Sequence, residues 1–134
     1  MTMKKVGILV TLLALVFAFN VNAQEATSGA SITFKEKSID FGDIVQGDKV
    51  SHTFELTNSG TTPLIISNVA ATCGCTVPVW PKEPIAPGKS AEIKVSFNSA
   101  GKMGKQNSVV RIYSNASEPI EKVSLISNVL PKTN

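Results

Sequence analysis

An all-β fold, one antiparallel sandwich of about seven strands, is predicted by three observations. Apolar residues recur at every second position in run after run of the chain. Turn-forming clusters such as Gln46-Gly47-Asp48, Asn58-Ser59-Gly60, Ala86-Pro87-Gly88 and Asn115-Ala116-Ser117 separate the runs at the spacing of a sandwich. Beyond the N-terminal segment no stretch carries a helical stripe.

Each run has its own signature. Ile32 and Phe34 alternate with polar neighbours, and Ile39 and Phe41 do so again before an expected turn at Gly42-Asp43. From Lys49 to Asn58, Val50, His52, Phe54 and Leu56 share one face, and Ser51, Thr53, Glu55 and Thr57 share the other. From Ser90 to Asn98, Ala91, Ile93, Val95 and Phe97 face inward between Glu92 and Lys94. Asn107–Ser114 and Glu121–Val129 are further β-branched runs. Trp80 stands between Pro78 and Pro81, and prolines confine that segment to a sheet edge or a crossover. The architecture is immunoglobulin-like, but without the inter-sheet disulfide of antibody domains, because the two cysteines are near neighbours in sequence.

The N-terminus has the order of an export signal. Lys4 and Lys5 precede a 14-residue apolar stretch, Val6 to Phe19, and Val21-Asn22-Ala23 supplies small residues for cleavage between Ala23 and Gln24. A membrane span needs about 20 apolar residues, so this stretch is too short to remain as an anchor. The expected organisation is a signal peptide over residues 1–23, a polar tether over 24–30, the sandwich over 31–130 and a tail over 131–134. The expected location is secreted or periplasmic, with no stable membrane span after cleavage.

Of 134 residues, removing 23 leaves 111, the size of one ordinary domain. The 13 basic residues fall to 11 against 10 acids, a net charge of +1 that argues for neither nucleic acid nor an anionic membrane as partner. Lys102 and Lys105 make a small basic spot in a glycine-bearing stretch, read as a solvated loop. No Gly-x-Ser-x-Gly, His-Glu-x-x-His or phosphate-cradling glycine loop is present, and a single histidine leaves little for hydrolysis. The chain is therefore expected not to be an enzyme.

Cys73-Gly74-Cys75-Thr76 is where chemistry can reside. Exported cysteines meet oxidising conditions and usually close long loops, but these two enclose a single residue. On an extended strand their Cα atoms would lie about 6.6 Å apart. That is the far edge of what a disulfide tolerates. Gly74 can shorten the gap through a backbone conformation with positive φ, giving a bond that is possible but strained and suited to redox exchange.

If Asn58 paired with Leu64 across the Ser59–Pro63 turn, His52 would stand opposite Ala70, in the same sheet corner as the cysteines. Cys73, Cys75 and His52 would then form a set for Cu(I) or Zn(II). Against both chemical readings stands packing or an inert disulfide, since free cysteine commonly serves as a small buried apolar residue. With no cofactor otherwise indicated, the residues leave these alternatives open.

Several segments together resemble a known family. Asp40-Phe41-Gly42, Gly47 and Phe54-Glu55-Leu56-Thr57-Asn58-Ser59-Gly60 resemble the opening of immunoglobulin-like domains of the abnormal-spindle and Hydin type. Pro63-Leu64-Ile65-Ile66, Cys73-Gly74-Cys75-Thr76, Ile85-Ala86-Pro87-Gly88-Lys89, Val95-Ser96-Phe97 and Ser114-Asn115 narrow this to the bacterial secreted family called domain of unknown function 1573, abundant in Bacteroidetes, over residues 32–129. The resemblance implies a seven-stranded sandwich shaped like PapD-like chaperone and major sperm protein domains, supports export, and implies no activity, substrate or cofactor. The expected role is an exported module for an unknown protein or peptide partner, in an unknown oligomeric state. Contact is expected through strand addition or through the segments Thr72–Trp80 and Ala100–Gln106. A thiol-redox or soft-metal protein and, more remotely, a chaperone of β-rich clients are the alternatives.

Overall fold

A computed structural model of the protein describes residues 29–133. The expected signal peptide and all but two residues of the expected tether lie outside the described residues. Eight strands follow one another in the described residues: β1 (Ile32–Phe34), β2 (Ser38–Val45), β3 (Lys49–Asn58), β4 (Ile66–Ala71), β5 (Thr76–Val79), β6 (Ser90–Asn98), β7 (Gly104–Ser114) and β8 (Ile120–Leu130). There is no helix among the described residues, and none long and apolar enough to cross a membrane. The strands form two four-stranded sheets, ordered β1-β3-β6-β5 and β2-β8-β7-β4.

The predicted alternation is what closes the two sheets on each other. Phe54 and Leu56 of β3 and Ile93 and Val95 of β6 meet Val110 and Ile112 of β7 and Val123 of β8 in a core with no solvent exposure. Leu64, between β3 and β4, is equally buried. β3 and β6 have the bounds expected from their patterns, whereas β7 begins three residues earlier than expected, at Gly104.

Three local expectations are corrected. Gly42-Asp43 is not a turn. β2 runs on through it beside β8, with a register shift between Asp40 and Asp43, a bulge that Gly42 permits at a φ of 70°. The tether was expected to include residue 30, but Ala30 is buried and bridges Ala116.

The third correction matters most for the site: β3 and β4 do not form a hairpin. Asn58 Nδ2 donates to the Thr62 carbonyl (2.8 Å) and curls the segment after β3 away from its own sheet. Asn115 then captures that segment for the other sheet, its Oδ1 accepting from Ile65 N–H (2.8 Å) and its Nδ2 donating to the Pro63 carbonyl (3.1 Å). β4 consequently pairs with β7, and β3 pairs with β6 and β1.

Candidate functional site

Cys73-Gly74-Cys75 is the turn by which the chain passes from β4, the edge of one sheet, to β5, the edge of the other. Thr76 N–H donates to the Cys73 carbonyl (3.3 Å) and closes the turn. That closure brings the two Cα atoms to 5.3 Å, and Cys73 and Cys75 form a disulfide. The gap expected for an extended strand is therefore shortened by the turn itself. Gly74 does not supply it through positive φ, and a Cβ on Gly74 would meet nothing within 4 Å. A Gly74→Ala variant is thus expected to keep both the disulfide and its stability, within about 0.5 kcal/mol in a urea titration.

Thr76 is buried, and its Oγ1 lies 3.8 Å from both sulfurs. Cys75 packs against the core, and its carbonyl accepts from Asn98 N–H of β6 (2.9 Å).

His52 does not join this group. It stands opposite Val95, pairs with the Glu36 carboxylate through Nε2, and rests edge-on against Phe54 with ring centroids 4.8 Å apart. With Cys75 opposite Asn98, His52 is two strands across and three residues along, a separation of about 14 Å. The juxtaposition with Cys73 and Cys75 fails because it required the β3–β4 hairpin. Among the described residues no three His, Cys, Asp or Glu side chains cluster as a metal site.

The segment expected as a contact loop, Thr72–Trp80, is the disulfide-closed turn followed by strand β5. Among the described residues β5 pairs only with β6, with Thr76 opposite Phe97, Val77 opposite Ser96, Pro78 opposite Val95 and Val79 opposite Lys94. Its amphipathicity is inverted relative to β3 and β6. Thr76 points inward and is buried, whereas Val77 and Val79 point outward at 58% and 62% exposure. The outer faces of β3 and β6 carry Ser51, Thr53, Lys94 and Ser96 in the comparable positions.

A one-residue slip would turn both valines inward. Two features oppose it. The bond from Asn98 N–H to the Cys75 carbonyl sets the ladder so that Cys75, Val77 and Val79 turn their backbone groups to β6. Pro78, which has no N–H, then faces the free edge; after a slip it would leave a β6 carbonyl without a donor. The disulfide-closed turn fixes the strand's starting point. The valines are held outward.

A shallow cleft of about 200 Å³ lies beside them, lined by Lys49, Cys75, Val77, Ser96, Phe97 and Asn98. A larger one, about 300 Å³, sits at the β2 bulge, but its carboxylates are already engaged. There Asp40 accepts from Gly42 N–H (2.8 Å) and Asp43 accepts from Asn128 Nδ2 (2.9 Å). Sequence reasoning missed Val77 and Val79. The signal was present in Thr76-Val77-Pro78-Val79, but its inward face could be assigned only once the strand's partner was known.

The family model described as "Protein of unknown function (DUF1573)" matches residues 32–129. The chain belongs to this family. No curated protein sequence matches the chain. A protein of unknown function from Porphyromonas gingivalis W83 is similar in structure, with a TM-score of 0.66 at 18% identity over 81% of this chain and 51% of that one. The PapD-like domain 7 of human CEP192 has a TM-score of 0.62 at 12% identity, over 77% of this chain and 87% of that domain. The YadV chaperone has a TM-score of 0.55 at 14% identity, over 74% and 52% respectively. The DUF1573 chain spans about half the length of the Porphyromonas and YadV chains. These likenesses show an all-β, PapD-like sandwich.

Proposed function

We propose that this DUF1573 protein is an exported, non-enzymatic binding module of the cell envelope whose contact surface is the outer face of β5. The observation that carries the reading is the inverted strand, with Val77 and Val79 held outward by Pro78 and the Cys73–Cys75 turn. Apolar side chains that contribute nothing to the core, yet are fixed in place, fit a partner's surface. The signal-like N-terminus and a disulfide that needs an oxidising compartment support export. A Val77→Thr/Val79→Thr double variant is expected to keep its unfolding free energy within about 0.5 kcal/mol. The same variant is expected to lose the chemically cross-linked complexes that the wild-type protein forms in the envelope. Unchanged complexes would remove β5 as the contact surface.

A second reading is favoured by the sulfurs themselves. They are joined in a half-exposed turn, with the Thr76 hydroxyl placed to donate to a thiolate released from either one. A thiol or dithiol of small-molecule or protein origin would exchange with the bond. The attacking thiolate forms a mixed disulfide with one cysteine, and the other leaves as thiolate. Only the reduced pair could then offer Cys73 and Cys75 to Cu(I) or Zn(II), without His52. Native-state reduction and reoxidation, followed by intact mass after thiol trapping, is the expected behaviour. Resistance to reduction until the protein unfolds would discard this reading.

A further inference from the structure

The free edge of β5 cannot accept an added strand in the usual way. Residues 76 and 78 turn their backbone groups to that edge. Thr76 N–H is already donated to the Cys73 carbonyl, and Pro78 has none. The edge therefore presents carbonyls without a free N–H, whereas strand addition needs both along its ladder. A partner at β5 is held by side chains on the outer face.

That face has a charge. Lys94 stands directly across from Val79, and Lys49 lines the cleft with Val77 and Cys75. Among the described residues the ion pairs are Lys37–Glu121 and His52–Glu36, which leave Lys49 and Lys94 without a carboxylate. Of the acids on the same sheet face, Glu55 and Glu92 stand opposite each other, beyond Lys94 and away from Lys49. Both unpaired ammonium groups thus lie on the β6 side of the valines, Lys94 level with Val79 and Lys49 on β3 opposite Asn98, with Ser96 between those two rows on β6.

We infer that the outer face of β5 binds an extended acidic-aliphatic protein segment. Its aliphatic side chains cover Val77 and Val79, and its carboxylates meet Lys49 and Lys94. The inference rests on the binding-module reading above. A cleft of about 200 Å³ holds only a few side chains, which suits a short segment better than the broad face of a folded partner. Rim charges of this kind set partner choice and make binding salt-dependent.

The test is an NMR titration of the isotope-labelled protein with a capped peptide alternating glutamate with valine and leucine. Its lysine-for-glutamate counterpart and anionic phospholipid vesicles serve as comparisons. The expected result is saturable shifts of the Val77, Val79 and Ser96 amides with the acidic peptide alone, weakening as salt is added. Binding should weaken about tenfold or more in Lys49→Glu/Lys94→Glu, with the remaining spectrum unchanged. Equal response to both peptides, or response to vesicles alone, would overturn the inference. A photo-reactive residue at position 77, tested in the envelope, separates the two levels of the account. Protein adducts there without any response to the acidic peptide would overturn the partner chemistry and leave the binding module standing. No adducts and no peptide response would remove both.

Discussion

An Asn58→Ala variant is expected to lose about 3–5 kcal/mol of stability, read as a lower midpoint in a urea titration. Asn58 is fully buried at the end of β3, and all of its polar atoms work. Its Nδ2 donates to the Thr62 and Ile85 carbonyls at 2.8 and 2.9 Å, and its Oδ1 accepts from Gly60 N–H at 3.0 Å and Ser31 N–H at 3.4 Å. Its backbone binds Lys89 and Gly88 as well. Alanine would strand the Thr62 carbonyl and one or two amides and leave the Ile85 carbonyl with Leu64 N–H alone, and each group left without a partner costs about 1–3 kcal/mol. Asn58→Asp should be no milder, because a carboxylate would face two carbonyls where an amide donated. A loss under about 1 kcal/mol would mean that water reaches these groups and that Asn58 is not the pivot between the sheets.

Gly60→Ala is expected to cost about 3 kcal/mol or more, beyond the usual range of a surface-turn substitution. A Cβ at position 60 would fall 2.6 Å from Ser31 N and 2.8 Å from the Ala30 carbonyl carbon, and would also strike the Gly29 carbonyl oxygen. These are backbone atoms that cannot rotate away. They belong to the N-terminal clasp, in which Ser59 N–H donates to Ser31 and Thr61 N–H donates to Gly29. Amide hydrogen exchange should therefore rise first at Ser59, Thr61 and Ser31. Unchanged protection there would contradict the close approach.

These two residues also show why the motif was easier to recognise than to interpret. Asn58, Gly60 and Asn115 belong to the pattern that resembles DUF1573, and in the structure they fold the chain from sheet to sheet. The alternation in β3 and β6 could be read directly, since period two depends only on neighbouring positions. The path after Asn58 could not be read that way. A hairpin and a crossover place the same turn residues in the same order, and the choice rests on side-chain bonds from Asn58 to Thr62 and from Asn115 to Pro63 and Ile65. The placement of His52 depended on that choice.

The cysteine pair was legible as a bond across one residue, but its setting was not. Only the partner strand shows that the pair marks the start of an edge strand with its valines outward. Ala100–Gln106, the other expected contact segment, runs into β7 at Gly104, and Met103 there is exposed. The exposed valines come as a pair, two residues apart on one strand.

The most direct measurement is site-specific photo-cross-linking in the envelope of the native host, with the reactive residue placed in turn at Val77, Val79 and Arg111. Arg111 is exposed on β7, in the other sheet. A partner seated on β5 predicts a discrete adduct from positions 77 and 79 and none from position 111. Adducts of equal strength from all three positions, or from position 111 alone, would contradict it.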